Sequence, residues 1–279
     1  MIDKAQLKIH FSKNAKTYDK YSNVQKKMKD ILINYLLKNL KSPSSVKNIL
    51  EIGCGTGSLT KTLLEIFPNS NITAIDISPG MIKEVKNKFK SSSINFICDD
   101  IENINLSCNY DLIISNATFQ WFNNLPKTLE KLYLSLNPNG ILSFSTFGNK
   151  TFYELHECFK KAIQELHIKE SISPGQSFYT LEKLTNICNS LEDTSCRNTL
   201  IYNEEIFLNE YFSNCKEFLN SIKKVGATNS NKNNRCTSPK FIKKVMNLYD
   251  KNFTIANKVI TTYHCLFIHI QKQNNLRKF

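Results

Sequence analysis

The chain has little arginine, no closely spaced cysteines and no long apolar run. Of its 37 basic residues only three are arginine, and the others are lysine. No stretch approaches the roughly 20 apolar residues that a membrane span requires, and the N-terminus lacks the apolar middle of a signal peptide. None of the nine cysteines forms a C-x-x-C pair, which argues against a zinc site or a disulfide framework. We therefore expect a cytoplasmic protein with reduced cysteines, no bound metal and no membrane partner.

The excess of lysine gives the chain a net charge of +13. A positive field of this kind attracts acidic partners, and both nucleic acid and an acidic carrier protein qualify. A composition rich in lysine, asparagine and isoleucine also follows from an AT-rich genome. The charge alone therefore leaves the partner open.

The order of apolar patterns divides the chain. Apolar residues at helical spacing predict two helices within residues 3–40, and "KSPSS" then reads as a linker. We predict an N-terminal helical cap at 1–45 and a second domain at 46–279. That domain is expected to contain a helical insertion at about 150–192 and a polar loop at about 227–240.

Within the second domain, short apolar runs alternate with helical patterns. This alternation predicts an α/β fold with a parallel sheet and helices on both faces. The predicted strands lie at 46–52, 71–76, 94–100, 110–116, 141–147, 194–208 and 260–272. We also expect a turn at 137–140 and a helix at 210–226.

A glycine-rich loop, "ILEIGCGTGSLT", ends the first predicted strand. Gly53, Gly55 and Gly57 alternate there, and no lysine follows, so the loop is not a phosphate-binding P-loop. The spacing also differs from the dinucleotide fingerprint, which needs G-x-G-x-x-G. Because Glu51 stands just before the loop, a pyrophosphate would be repelled and a cationic ligand attracted. S-adenosylmethionine, which carries a sulfonium and an ammonium but no phosphate, has the required charge.

Acids also follow the second and third predicted strands. Asp76 can accept hydrogen bonds from both hydroxyls of a ribose, and an acid in "CDDIENI" can accept one from the adenine amino group. Either Asp99 or Asp100 fits that second role, and we prefer Asp100.

At these residues the sequence resembles the class I S-adenosylmethionine-dependent methyltransferases. The resemblance implies a Rossmann-like sheet of seven strands with an antiparallel last strand. It implies S-adenosylmethionine as cofactor and S-adenosylhomocysteine as product. The residues it assigns to the cofactor are Glu51 near the ammonium, Gly53, Gly55 and Gly57 at the methionine part, Asp76 at the ribose, Met81, Asp100 and Ile101 at the adenine, and Asn116.

Further motifs resemble the family that methylates malonyl-acyl-carrier protein at the start of biotin synthesis. They are "IHFSKNAKTYDKYSNVQKKM" (9–28), "SNATFQWFNNL" (115–125), "STFGNKTFYELHECF" (145–159) and "IKKVGATN" (222–229). This resemblance implies an acceptor site that contains Tyr18, Gln120, Trp121 and Phe178. The acceptor would be a free carboxylate, which is ionised at neutral pH and needs no general base.

The resemblance also implies an acidic acyl carrier protein as partner. We expect it to dock on a basic stretch formed by Lys223, Lys224, Lys232, Arg235, Lys240, Lys243 and Lys244. The cation that holds the acceptor carboxylate is left open.

Three alternatives stay open. In the first, the acceptor is another small carboxylic acid or a quinone. In the second, the protein binds S-adenosylmethionine without catalysis. Methylation of nucleic acid is the third, but "SNAT" at 115–118 differs from the Asn/Asp-Pro-Pro-aromatic pattern of amino-methylating enzymes. We therefore expect no nucleic-acid partner.

Overall fold

The structure is a computed structural model that describes most of the chain. The described residues are 1–40, 42–90, 93–106, 109–169, 172–191, 198–227 and 238–272. Most of the predicted polar loop at 227–240, with Lys232 and Arg235 of the predicted basic stretch, lies outside the described residues.

A mixed sheet forms the centre of the fold. Its strands are β1 (Asn48–Ile52), β2 (Asn71–Asp76), β3 (Asn95–Cys98), β4 (Tyr110–Asn116), β5 (Leu136–Phe147), β6 (Asn198–Phe212), β7 (Thr254–Ile255) and β8 (Lys258–Lys272). They follow the order β3-β2-β1-β4-β5-β8-β6, with the two-residue β7 beside β8. Strands β1 to β5 pair in parallel, whereas β8 runs antiparallel to β5 and β6. The predicted Rossmann-like sheet with an antiparallel last strand is confirmed.

Helices cover both faces of this sheet and extend beyond it. They are α1 (Lys4–Asn14), α2 (Tyr18–Tyr21), α3 (Asn23–Asn39), α4 (Ser58–Ile66), α5 (Pro79–Lys88), α6 (Leu125–Leu134), α7 (Tyr153–Glu165), α8 (Leu181–Asn189), α9 (Cys215–Lys224) and α10 (Pro239–Asn252). Among the described residues, no helix is long and apolar enough to cross a membrane.

Local chemistry accounts for several of these boundaries. β2 has the bounds that the apolar run predicted, and α5 begins at Pro79. The Ser78 hydroxyl accepts a hydrogen bond from the Met81 N–H, which is the expected N-cap contact.

Two local predictions were wrong. The turn at 137–140 is instead a bulge inside β5, because the pairing with β4 jumps from Tyr110–Leu136 to Leu112–Ile141. Residues 210–212, which were expected to begin a helix, end β6 because they pair with residues 259–261 of β8.

The first 40 residues serve two purposes. Met28, Leu32 and Leu36 of α3 are fully buried in the core that contains Ile49 of β1 and Phe267 of β8. By contrast, α1 packs against α5. Thus α3 completes one face of the sheet, and α1 and α2 remain to cover the edge where the glycine loop lies. The predicted division at residue 45 stays a prediction.

Beyond β5, α7, α9 and α10 share a separate apolar cluster. Its fully buried or nearly buried members include Phe159, Phe218, Phe241 and Tyr249. This cluster holds the three helices together and builds one side of the site described next.

Candidate active site

The glycine loop leaves β1 and begins α4. Gly53, Gly55 and Gly57 have φ angles of 71°, 54° and 88°, a region that glycine enters without strain. The N–H groups of Gly53 and Cys54 donate to the Ile75 carbonyl oxygen at 2.7 and 3.1 Å. The loop therefore lies at the carboxyl edge of the sheet, beside β2, where open α/β sheets bind ligands.

The three glycines have different surroundings. A Cβ atom added at Gly53 would collide with Thr118, and one at Gly57 would collide with Val85 of α5. A Cβ atom at Gly55 would have no heavy atom within 4 Å. Gly57 thus allows α4 and α5 to approach, whereas Gly55 faces space that a ligand can fill.

A cavity of about 100 Å³ lies beside this loop, and we call it the loop cavity. Its wall contains seven residues that were predicted to hold the cofactor, namely Gly53, Gly55, Asp76, Met81, Asp100, Ile101 and Asn116. It also contains the predicted acceptor residues Tyr18, Gln120 and Trp121.

Asp76 is held by the backbone at the end of β2. Its Oδ2 atom accepts a hydrogen bond from the Gly55 N–H at 2.9 Å, and its Oδ1 atom accepts one from the Ser78 N–H at 2.8 Å. Each oxygen can accept a further bond, so a pair of ribose hydroxyls fits this carboxylate. Burial raises the pKa of Asp76 to about 6, against the opposing effect of the two N–H groups.

Both candidate adenine acids line the loop cavity. Asp100 is 7% exposed, and its Oδ2 atom lies 3.2 Å from Nζ of Lys4 in α1. Asp99 is exposed, and its Oδ1 atom accepts a hydrogen bond from the Asp100 N–H at 2.7 Å. The burial of Asp100 favours it as the acid that contacts a ligand, and this choice stays a prediction.

Two predicted cofactor residues, Gly57 and Glu51, are absent from the described wall of the loop cavity. Glu51 is fully buried in β1. Its Oε2 atom accepts a hydrogen bond from the Thr60 hydroxyl at 2.6 Å, and its Oε1 atom has no partner among the described residues. Burial raises the pKa of Glu51 to about 8, the Thr60 hydrogen bond opposes this rise, and the charge of Asp76 adds to it. With this pKa Glu51 is mostly protonated at neutral pH, and it is absent from the described cavity wall, so its place near the ammonium of a ligand stays a prediction.

Asp19 anchors the cap to the glycine loop. Its carboxylate accepts hydrogen bonds from the Thr56 hydroxyl and, at 2.6 Å, from Nζ of Lys88. Lys88 also donates to the Thr56 carbonyl oxygen at 2.9 Å. Burial raises the pKa of Asp19, but the bonds from Lys88 and Thr56 outweigh burial and leave the pKa below its ordinary value. An ionised Asp19 thus positions the neighbouring Tyr18 at the loop cavity.

A second anchor joins the cap to α5 and to the chain after α9. The Ser12 hydroxyl lies 2.9 Å from the Ser78 hydroxyl and accepts a hydrogen bond from the Gly80 N–H at 3.1 Å. Gly226 has a φ angle of 75°, and a Cβ atom there would lie 3.0 Å from the His10 carbonyl oxygen. The first and last of the four motifs therefore contact each other.

A larger cavity of about 530 Å³ adjoins the first, and we call it the helix cavity. The two cavities share Gln25, Gln120, Trp121, Phe147, Val225 and Ala227. Phe178 lines the helix cavity but not the loop cavity, and its ring lies 6.3 Å from that of Phe147. Of the predicted acceptor residues, Gln120 and Trp121 thus lie where the two cavities join, Tyr18 lines only the loop cavity and Phe178 lines only the helix cavity. The volume lies in the range of small-molecule sites.

Polar side chains at this junction are held in place. The Gln120 Oε1 atom accepts a hydrogen bond from the Thr146 hydroxyl at 2.9 Å. The Asn116 amide donates to the Gln25 carbonyl oxygen at 2.9 Å, and its Oδ1 atom accepts from the Ser145 hydroxyl at 2.7 Å. These bonds fix both amides relative to β5 and α3.

Sequence reasoning missed one face of α1. Lys4, Leu7 and Phe11 all line the loop cavity, and their spacing of three and four residues places them on the same side of a helix. The Phe11 ring lies 5.7 Å from that of Trp121, edge to face, and 6.4 Å from that of Tyr18. The helical spacing was the signal that could have found them.

The groups around the loop cavity suit S-adenosylmethionine. Gly55 leaves room beside the loop, Asp76 presents two oriented carboxylate oxygens, and Asp100 and Ile101 close the side where an adenine would lie. The acids near it suit a ligand that carries positive charge.

Comparisons with known proteins agree with this geometry. Residues 49–140 match a family described as "Methyltransferase domain". The chain is 47% identical over 278 residues to a "Malonyl-[acyl-carrier protein] O-methyltransferase" of Priestia megaterium, which covers 98% of this chain and 100% of the relative. It is 46% identical over 281 residues to a protein of the same name from Acetivibrio thermocellus, with 98% and 95% covered.

A solved structure shares the fold. The plantazolicin methyltransferase BpumL, solved in complex with a pentazolic desmethylPZN analog and SAH, superposes with a TM-score of 0.50 at 16% identity and covers 97% of each chain. The fold is therefore that of class I methyltransferases, and the cofactor is S-adenosylmethionine. Since the two relatives match nearly the whole chain at high identity, the chain belongs to the family of malonyl-[acyl-carrier protein] O-methyltransferases.

Proposed function

We propose that this protein transfers a methyl group from S-adenosylmethionine to the free carboxylate of malonyl-acyl-carrier protein, an early step of biotin synthesis. The observation that carries the proposal is the shared wall of the two cavities, at Gln120 and Trp121. The loop cavity has the groups that S-adenosylmethionine requires, and the helix cavity has room for an acceptor. A cytoplasmic location, which the sequence predicts, is part of the proposal.

The transfer is a single displacement. When bound, S-adenosylmethionine supplies a methyl carbon that bonds to the acceptor oxygen while the methyl–sulfur bond breaks, its electron pair stays on sulfur and S-adenosylhomocysteine remains. No proton moves in this step, because the acceptor carboxylate is already ionised at neutral pH. The site therefore needs no general base.

Tyr18 has a role that fits this chemistry. Burial, Asp76 and Asp19 together raise the pKa of the Tyr18 hydroxyl, in that order of importance. The hydroxyl is therefore protonated at neutral pH and can donate a hydrogen bond to a carboxylate, but it does not act as a base. We expect it to orient the acceptor rather than to activate it.

The remaining junction residues align the reactants and exclude water. Gln120 and Asn116 are fixed by their hydrogen bonds, and Phe11, Trp121 and Phe147 supply apolar surface. Alignment of the reacting atoms lowers the entropic part of the barrier. Because opposite charges disappear as the transition state forms, dry and apolar surroundings also favour it.

We further propose that the carrier protein docks on α9 and α10. Both helices line the helix cavity, and Lys224, Lys240 and Lys243 are exposed on them. Lys244 is engaged in an ion pair with Glu165 of α7. A positive face beside the acceptor cavity would steer an acidic carrier toward it. Reversing Lys224 and Lys243 to Glu should raise KM for the carrier-bound substrate and leave KM for malonyl-coenzyme A unchanged.

A methyl-transfer assay with labelled S-adenosylmethionine tests the function. The acceptors are malonyl-carrier protein, acetyl-carrier protein, malonyl-coenzyme A, free small dicarboxylates, a quinone and RNA. We expect label on the malonyl thioesters and none on the acetyl form, which lacks the free carboxylate. Label on a quinone or RNA alone would replace the proposal. Tight binding of S-adenosylhomocysteine with no acceptor labelled would favour a non-catalytic protein.

A further inference from the structure

The mouth of the helix cavity is marked by the exposed residues on its wall. These are His156 of α7, Lys223 of α9 and Ser173, which lies between α7 and α8. In the described part of that wall, Lys223 is the only lysine or arginine. An anionic group that enters by this mouth would meet the positive charge of Lys223.

Gln176 contributes a polar side chain to the wall of the same cavity. Its Nε2 atom donates to the Gln120 carbonyl oxygen at 3.2 Å, which fixes the direction of the amide. Its Oε1 atom is buried and has no hydrogen-bond partner in the part of the chain that the structure describes. A buried oxygen of this kind costs free energy unless a ligand or a water molecule donates to it. The oxygen accepts only, so the group it would pair with is an N–H or O–H.

Most of the remaining wall surface is apolar. Leu155 and Phe159 of α7, Ile222 of α9 and Val245 of α10 contribute to it. A malonyl group is far smaller than the roughly 530 Å³ enclosed. The cavity therefore has room for a longer group with a mostly hydrocarbon body.

A phosphopantetheine arm has this sequence of chemical groups. It carries a phosphate at one end, amide N–H groups and methylenes along its length, and a thioester sulfur at the other end. On the basis of the proposed function, we propose that the helix cavity binds this arm. Lys223 pairs with the phosphate at the mouth, and the Oε1 atom of Gln176 accepts a hydrogen bond from an amide N–H of the arm.

This assignment places the acyl group at the junction of the cavities. Gln176 contacts the backbone of Gln120, which lines both cavities. An arm held at Lys223 and at Gln176 directs its thioester end toward Gln120 and Trp121. Lys223 and Gln176 are thus specificity residues for the carrier of the acyl group, not for the methyl acceptor itself.

A series of malonyl thioesters of decreasing length tests the two assignments separately. The series is malonyl-carrier protein, malonyl-coenzyme A, malonyl-pantetheine, which lacks the phosphate, and the malonyl thioester of ethanethiol, which lacks the amides as well. The variants for the phosphate are Lys223→Ala and, as the matched control, Lys160→Ala, because Lys160 of α7 is exposed but absent from the described cavity wall. The variant for the amide is Gln176→Met, which keeps a side chain of similar length but has no acceptor oxygen.

We expect Lys223→Ala to raise KM about tenfold for malonyl-coenzyme A and to leave KM for malonyl-pantetheine unchanged. Lys160→Ala should leave KM for both unchanged. We expect Gln176→Met to raise KM about tenfold for malonyl-pantetheine but not for the ethanethiol ester.

Equal effects of a variant on all four thioesters, or no effect on any, would overturn its assignment while the proposed function stands. If the parent protein methylates none of the four, the proposed function and this inference both fail. The behaviour of the parent therefore separates the two failures.

Discussion

The Asp19 carboxylate in the cap accepts a hydrogen bond from the Thr56 hydroxyl in the glycine loop. The two residues are 37 positions apart, and Lys88 of α5 binds both of them. Tyr18, next to Asp19, is thereby held at the wall of the loop cavity. Cofactor loop and acceptor cap are thus one hydrogen-bonded unit, so a change at Asp19 should affect both ligands.

Replacing Asp19 tests this coupling. Asp19→Ala leaves the Lys88 ammonium without its anionic partner and the Thr56 hydroxyl without its acceptor, and water offsets part of this loss because Lys88 and Asp19 are both half-exposed. We expect the Kd of S-adenosylhomocysteine to rise about tenfold and kcat to fall, as measured by calorimetry and by methyl transfer. Asp30→Ala is the control, because Asp30 is an exposed acid on α3 that pairs with a lysine. Equal Kd values for the two variants would show that the cap does not support the loop.

Alanine substitutions at two glycines of the loop should have different consequences, one chiefly for ligand binding and the other chiefly for stability. At Gly55 an added methyl group meets only the space of the cavity, whereas at Gly57 it collides with Val85. Gly55→Ala is therefore expected to lower Tm slightly, through its positive φ angle, and to weaken S-adenosylhomocysteine binding at least tenfold. Gly57→Ala is expected to lower Tm by several degrees. Thermal unfolding with and without ligand measures both, and a Gly55→Ala protein that binds normally would contradict the placement of the ligand.

The single tryptophan reports on the site. Trp121 lines both cavities, so a ligand in either should change its fluorescence. We expect S-adenosylhomocysteine to produce a saturable change whose midpoint rises at least tenfold in Asp76→Ala, because both ribose contacts are lost. Asp99→Asn, an exposed acid of the same wall, should shift the midpoint less than about twofold. An unchanged midpoint in Asp76→Ala would exclude Asp76 as the ribose acceptor.

Stability should depend on pH through Glu51. Its pKa is about 8 in the folded protein, whereas a glutamate in an unfolded chain titrates near about 4.3. Between these values the folded state binds a proton that the unfolded state has released, so stability falls as pH rises. Glu51→Gln removes this titration. We expect the Tm advantage of the variant over the parent to grow from about pH 5 to about pH 8, and a constant difference would refute the buried, protonated state of Glu51.

The sequence predicted those features that depend on local chemistry. Strand β2 and the Ser78 cap follow from an apolar run, a serine and a proline in order. Asp76 could be assigned because the carboxyl ends of parallel strands meet at one edge of the sheet.

Features that depend on contacts between residues far apart in the chain could not be predicted from the sequence. The bulge at 137–140 exists because β4 and β5 keep their pairing on both sides of it. Whether Glu51 touches a ligand depends on the direction in which its side chain leaves β1. The side chain is buried against Thr60, and a sequence motif does not show that direction. The role of Asp19 likewise depends on Lys88, which lies in another element.

The central claim is that the methyl group is placed on the carboxylate oxygen of a malonyl thioester, in a site that supplies no general base. Mass spectrometry of malonyl-carrier protein after reaction, before and after mild alkaline hydrolysis, tests it most directly. The account predicts that the carrier gains one methyl group and that alkaline hydrolysis, which also cleaves the thioester, releases this methyl as methanol. A methyl group that is recovered in methylmalonate, and is therefore bonded to the malonyl carbon, would contradict the account, because its transfer requires a base to remove a proton from that carbon.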